Sequence, residues 1–462
     1  MLNYDEFKRA VEAEELDTVI VAFTDLTGRQ LGKRYDAEYV LDHYHDFESH
    51  ACDYLLTIGV DMNPLDGFKA ANWQRGYGDF HLVPRMGSLR HAAWLDRTAY
   101  LVCDVADRDT HQLLTHAPRT VLSKQVEQAQ KDGFGALCAS ELEYFIYNDT
   151  YETAFKKGYK NLQTAGWYSE DYHILQGTRT EDLQKAVRYY LKKSGIPVES
   201  SKGEFGRGQH ELNVAYSDIL TMADNHVLYK QCFKAWPSLA PEVAEAQGKS
   251  VTFMAKPHHD EAGSSCHIHL NLTSAETGKN AFAGDKDLQG IKCSDTFRHF
   301  LGGWIKYTPE IMPFLAPTIN SYKRYQTASW APTSLAWSPD NRTAGFRIVG
   351  SGKSLRIECR IPGADVNPYL AFAGSLAAGL EGVRKGIEPP PMMSGDAYRA
   401  PSTTKVPVTL NEAAHALEES KFARQAFGDD VVDHYAHYYK KEVEAFRKSV
   451  TDWEKQRYFE QI

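Results

Sequence analysis

The sequence predicts a mixed fold of helices and strands in two unequal domains. Three observations carry this. At 462 residues the chain exceeds one typical domain. Its first 110 or so residues hold short β-branched and apolar runs separated by turns, the pattern of a small β-rich unit. Beyond them, strand-like runs alternate with long helical segments, which makes the larger part α/β or α+β.

Taken in order, residues 4–16 have helical periodicity. Thr18 to Phe23 is a β-branched strand, followed by a turn at Asp25-Leu-Thr-Gly28 and a second short strand. Phe80 to Pro84 and Ala99 to Cys103 are further strands. His116-Ala-Pro-Arg119 opens a helix that runs to about Gly133. Pro368 to Leu380 is the most apolar long segment; it is too short to span a bilayer and reads as a buried helix. Gly386-Ile-Glu-Pro-Pro-Pro391 cannot continue that helix and reads as a rigid loop. The last 60 residues or so return to charged, amphipathic helices.

Composition narrows the function. The net charge is −9 with both signs interspersed and no basic block, which argues against a nucleic-acid partner. Seven cysteines, an odd number without a CxxC pair, point to a reducing compartment rather than a disulfide framework. The opening MLNYDEFKRAVEAEELD lacks an apolar core, so no signal peptide is expected. A cytoplasmic protein with no membrane partner is the expectation.

The chemistry gathers around Lys256 to Leu272, KPHHDEAGSSCHIHLNL. His267 and His269 lie two apart in an apolar run, so on a strand both imidazoles share a face. A Gly-containing turn, Asp260 to Ser265, feeds that strand. Glu141 and Glu143 share a face of the aromatic-rich segment Ala139 to Tyr147. Two like carboxylates on one face are tolerated best with a cation between them. Glu204 and Glu211 flank a loop in EFGRGQHE, and Glu358 shares a strand face with Arg356 and Arg360. Taken singly, each cluster is compatible with exposed strand charges or a surface ion pair. Together, five glutamates and one histidine suffice for two oxygen-rich divalent sites.

Gly350-Ser-Gly-Lys-Ser354 imitates the end of a P-loop. The glycine a P-loop needs five residues earlier is Arg347, and the following Leu355 to Ile361 alternates like a strand. A β-hairpin turning on Gly350 and Gly352 is predicted instead. Its basic residues, Arg342, Arg347, Lys353 and Arg356, can still neutralise a polyphosphate.

These segments resemble the glutamine synthetase family across nearly the whole chain. The motifs, in order, are SELEYF at 140–145, EFGRGQHE at 204–211, KPHHDEAGSSCHIHL at 256–270, NSYKR at 320–324, NRTAGFRI at 341–348 and RIECRIPGADVNPYLAFA at 356–373. The resemblance implies an α+β fold: a small N-terminal β-grasp domain, residues 1–110, and a catalytic domain, residues 111–462. It implies a homo-oligomeric ring, commonly a dodecamer, whose active sites are shared between subunits. It also implies ATP and two or more Mg²⁺ or Mn²⁺ ions. Glu143, Glu204 and Glu211 would hold the first metal; Glu141, His267 and Glu358 the second. Gly263, Arg324, Arg360 and Tyr172 would bind substrate, while His269, Arg342, Arg347, Lys353 and Arg356 would contact ATP. Glu199 and Tyr216 would lie near its ribose and base. Arg360, Arg342 and Glu204 form the implied catalytic set.

The chemistry implied is phosphorylation of the γ-carboxylate of glutamate, then displacement of phosphate by a nitrogen nucleophile. Two departures bear on that nucleophile. Ammonia-using members carry a flap glutamate six residues past the NSYKR arginine, and here that position is Trp330. Ala262 replaces an asparagine that usually contacts glutamate, and the aspartate that the small domain supplies has only Asp61 as a candidate. A γ-glutamyl-amine ligase acting on a polyamine, ethanolamine, methylamine or other small alkylamine is therefore expected, with Trp330 lining the amine site. The alternatives are an ordinary glutamine synthetase, disfavoured by the missing flap glutamate, and a non-catalytic relative, disfavoured by the intact ligand set.

Overall fold

The computed structural model describes residues 1–235, 248–399 and 404–462. A six-stranded sheet comes from the first part of the chain: Thr18–Thr24 (β1), Gln30–Asp36 (β2), Ser49–Cys52 (β3), Asp79–Pro84 (β4), Arg90–His91 (β5) and Thr98–Asp107 (β6). The order is β2-β1-β6-β4-β3, with β5 on β6 and β1 parallel to β6. Helix Tyr4–Glu12 covers it through Phe7, Ala10 and Val11, its start fixed by an Asn3–Glu6 capping box. The helix stops before residue 16 because Glu14 turns into the left-handed region at φ +55°. Strand β3, drawn from ESHACD, was not predicted because it carries no apolar alternation.

The second sheet holds the site. Its strands are Phe134–Tyr147 (β7), Val198–Gly203 (β8), Gln209–Val214 (β9), Ser217–Asp218 (β10), Ser250–Thr252 (β11), Cys266–Ser274 (β12), Trp337–Pro339 (β15), Phe346–Val349 (β16) and Arg356–Cys359 (β17); Lys286–Leu288 (β13) and Ile291–Cys293 (β14) pair apart from it. The order is β15-β16-β17-β12-β7-β9-β8, with β10 and β11 also on β7. Polar and apolar side chains alternate along the centre. Ala136, Cys138, Ser140 and Leu142 of β7, with Cys266, Ile268, Leu270 and Leu272 of β12, are buried. They face the helices Pro118–Lys131 and Ile219–Ala235, and Ser140 Oγ lies 3.1 Å from His226 Nδ1. The intervening Glu141, Glu143, His267 and His269 therefore point to the opposite face.

Helix Pro368–Lys385 is buried from Pro368 through Gly382, as its apolar run predicts. A Cβ on Gly303 would fall 2.4 Å from Gly382 Cα, so the neighbouring helix Asp295–Tyr307 approaches backbone to backbone. Asn367 caps the buried helix at Tyr369 N and donates to the carbonyls of Asp25 (3.0 Å) and Leu26 (3.2 Å), tying it to the small sheet. Arg119 adds a second tie, joining Asp104 at 2.7 Å to Asp224 at 3.0 Å. Among the described residues no helix is long and apolar enough to cross a membrane, and the seven cysteines are free thiols. The P-loop imitation is a hairpin: β16 and β17 pair antiparallel, with φ +75° at Gly350 and +52° at Gly352.

Candidate active site

Strand register assembles the ionisable residues. Glu143 lies opposite Glu211, and Glu211 opposite Lys202. Glu141 lies between Asn213 on β9 and His267 on β12. His269 lies opposite Glu358, and Glu358 opposite Arg347. One face of six adjacent strands thus carries these residues by period-two alternation, and Glu204 joins them from the loop after β8.

Glu143, Glu204 and Glu211 bring one oxygen each within 4.8 Å of one another. Glu143 Oε2 accepts from Ser265 N (2.8 Å) and Gln209 Nε2 (3.0 Å). Burial, and then the charge of Glu211, push its carboxyl up to about 7. Burial and Glu141 likewise raise Glu211. Lys202 Nζ pairs with Glu204 and stands 3.9 Å from Glu211. An all-oxygen set in which two buried carboxyls are raised by burial and by neighbouring carboxylates fits a hard divalent cation.

A second set is Glu141, His269 and Glu358, again within 4.8 Å. Both histidines crowd this set. His269, placed by sequence reasoning with ATP, has its Nε2 2.9 Å from Glu141 Oε1 and belongs to this group. His267, expected as the ligand, lies within reach of the same two carboxylates, with Nδ1 3.1 Å from Glu141 and 3.7 Å from Glu358. The two-residue spacing puts both rings over one carboxylate, and His269 is the one in register with Glu358. His267 Nε2 is buried without a hydrogen-bond partner. Burial opposes ionisation of Glu141, yet hydrogen bonds from His267 and His269 hold it well below the carboxylate range. Burial, with the charge of Arg360, lowers His267 to about 4, leaving a neutral imidazole able to ligate.

Glu358 is fully buried and accepts from Arg360 (2.6 Å) and Arg347 (2.8 Å), so it is no surface ion pair. Arg356 turns away to donate to His269 Nδ1 at 3.1 Å. Two cavities meet at Glu141 and Asn213. One, of about 440 Å³, is lined by Glu199, Tyr216, His269, Lys353 and Arg356, the residues expected around ATP. The other, of about 390 Å³, is lined by Glu143, Glu204 and Glu211, by Glu141 and His267, and by Gly263, Arg342, Arg347, Arg360, Tyr172 and Trp330. Arg342 and Arg347, expected at ATP, thus lie on the second side of the junction.

Arg324 does not line either cavity. It is fully buried, donating to the carbonyls of Ile361 (2.6 Å) and Arg360 (3.0 Å) and to Ser265 Oγ (2.8 Å). It braces the walls of the site, Gly263 packs directly on its side chain, and the Arg324 Nε is left without a hydrogen-bond partner. Asp61 sits in an exposed loop, accepting from Asn63 Nδ2 at 2.7 Å.

Trp330 is half exposed at φ +62°, its ring 5.9 Å from Phe205. Its segment is anchored: Tyr398 donates to Ala331 O at 3.0 Å and Ser329 Oγ to Arg324 O at 3.0 Å. Tyr172 closes the same cavity beneath Lys202, whose Nζ lies 4.6 Å from the ring centroid. Sequence reasoning missed Lys202, Phe205, Gln209 and Asn213. Gln209, Glu211 and Asn213 alternate along β9, a pattern visible in GQHELNV; Lys202 and Phe205 gave no signal before the pairing was known.

Residues 115–458 match the family model for the glutamine synthetase catalytic domain. The chain belongs to the glutamine synthetase family. It is 43% identical over 461 residues to gamma-glutamylethanolamide synthetase GlnA4 of Streptomyces coelicolor, covering 100% of this chain and 96% of the relative. It is 32% identical to a glutamate–isopropylamine ligase of a Pseudomonas species, covering 98% and 97%. A solved GmaS/ADP complex superposes with a TM-score of 0.83 at 26% identity, covering 99% of this chain and 100% of that one. Ligases of this family use ATP and divalent metals.

Proposed function

We propose that this ATP-dependent ligase joins the γ-carboxylate of L-glutamate to a small primary amine, such as ethanolamine or another alkylamine, through a γ-glutamyl phosphate. The observation that carries the amine reading is the aromatic wall of Trp330, Phe205 and Tyr172 on the cavity that holds the acidic residues. Ammonium has no carbon to place against such a wall. An alkylamine buries its methylenes there and offers its cation to a ring face. The names of two relatives, an ethanolamide synthetase and an isopropylamine ligase, agree with it.

Each side chain then has a task. Glu199, Tyr216, His269, Lys353 and Arg356 would hold ATP in the first cavity, and its phosphates would point towards Glu141 at the junction. Glu143, Glu204 and Glu211, and Glu141 and Glu358 with His267 or His269, would hold Mg²⁺ or Mn²⁺, which supply charge neutralisation on the phosphates. Arg360, Arg347 and Arg342 face the cavity where the phosphoryl group arrives and would offset its developing charge. Gly263 leaves room for glutamate; Arg324 keeps that wall in place. Glu204, on the loop beside Phe205, would take the proton from the incoming amine, unless an aspartate of a neighbouring subunit does so. The working form is a cytoplasmic ring, expected to be a dodecamer.

Incubation with glutamate, ATP, Mg²⁺ and single amines, with products weighed by mass spectrometry, tests the reading. A γ-glutamyl amide with stoichiometric phosphate release is expected. Glutamine alone, from ammonium, would replace this reading with an ordinary synthetase.

A further inference from the structure

We propose that Glu48, His50 and His81 form a binding site for a borderline divalent transition metal of zinc's class, on the open face of the small sheet. None of the three lines the ligase cavities. His50 on β3 and His81 on β4 are direct cross-strand partners, with ring centroids 4.3 Å apart and planes at 53°. Phe80 and Leu82, on either side of His81, are buried in the core, so both imidazoles stand on the opposite face. Glu48 immediately precedes β3, and one donor atom from each residue lies within 4.8 Å of the others.

The tautomer of His81 is already the one a ligand needs. Its Nε2 lies 3.1 Å from the carbonyl oxygen of Arg108, and a carbonyl only accepts, so Nε2 carries the proton. The lone pair is left on Nδ1. A ligating histidine that donates its other N–H to a backbone carbonyl is the usual way such a ring is oriented. A further imidazole, His111, packs at 4.7 Å on His81, and its loop is held by His111 N donating to Asp107 O at 3.0 Å. Two imidazoles and one carboxylate suit tetrahedral zinc with an open position for water or His111. They suit Mg²⁺ or Mn²⁺ poorly, whereas the catalytic sets are oxygen-rich. The ion would bind the edge strand β3 to β4 at the start of the segment that carries Asp53 and Asp61.

The test is calorimetric titration of EDTA-stripped full-length protein with ZnCl₂ in excess MgCl₂, repeated with His50→Ala, His81→Asn and Glu48→Gln. Wild type should take up one more zinc per chain than the histidine variants. Glu48→Gln, the mildest change, should weaken that site about 10- to 100-fold. Ligase turnover with Mg²⁺ should be unchanged in a variant that keeps the wild-type circular dichroism. Co²⁺ in place of zinc should give tetrahedral visible bands that the variants lack. Equal zinc uptake by wild type and all three variants would overturn the proposal. So would a zinc site that vanishes with Glu143→Gln and survives His50→Ala.

Discussion

Glu143 makes the stability of the EDTA-treated protein depend on pH in an unusual direction. Burial, and then the neighbouring Glu211, hold its carboxyl at about 7 against an ordinary value of 4.5. Between these values the folded protein keeps a proton that the unfolded chain has lost. The folded state binds more protons, so its stability is greatest below 4.5 and falls as pH rises through 7. At 1.36 kcal/mol per pH unit, the interval amounts to roughly 3 kcal/mol. A divalent cation favours the ionised carboxylate and should restore that stability. Thermal unfolding with EDTA or MnCl₂ at pH 5 and pH 8 measures it. The gain in Tm from Mn²⁺ should be several degrees larger at pH 8, and Glu143→Gln should remove most of the difference. The same pH dependence in Glu143→Gln as in wild type, both in EDTA, would refute the reasoning.

Trp330→Glu should reduce kcat/KM for an alkylamine by about 10- to 100-fold, since the apolar wall supplies about 1–3 kcal/mol for each methylene-sized difference. Its rate with ammonium should change less, so the ratio of the two is the quantity to measure. Gly263→Ala would place a methyl 2.6 Å from both Ala255 O and Arg324 Cγ, so it should raise KM for glutamate more than it lowers kcat. Steady-state kinetics with varied glutamate separates the two. Light scattering should give a large ring, probed at twelve subunits; a fully active monomer would exclude shared sites.

Much of the site was legible because it is built from strands. Period-two alternation exposed Glu141 with Glu143 and His267 with His269, and a failed glycine spacing identified the hairpin at Gly350. What alternation does not encode is partner and depth. It could not show that both His269, in register with Glu358, and His267, 3.7 Å from it, reach that carboxylate, which depends on register between β12 and β17. It could not show that Glu358 is fully buried or that Arg324 is taken up by carbonyls, since both depend on chain segments far apart in sequence. In the small sheet, β3 escaped notice because its outward face carries His50 and Cys52 instead of an apolar stripe. Helix Pro368–Lys385 was plain for the opposite reason: it is apolar on every side.

The central claim is that the aromatic wall selects carbon-bearing amines over ammonium. The most direct measurement is kcat/KM of the wild-type ligase for ethanolamine and a panel of small primary amines against ammonium, at saturating glutamate, ATP and Mg²⁺. At least one amine is expected to exceed ammonium by about tenfold, or about 1.4 kcal/mol. A preference for ammonium over every amine in the panel would contradict the account.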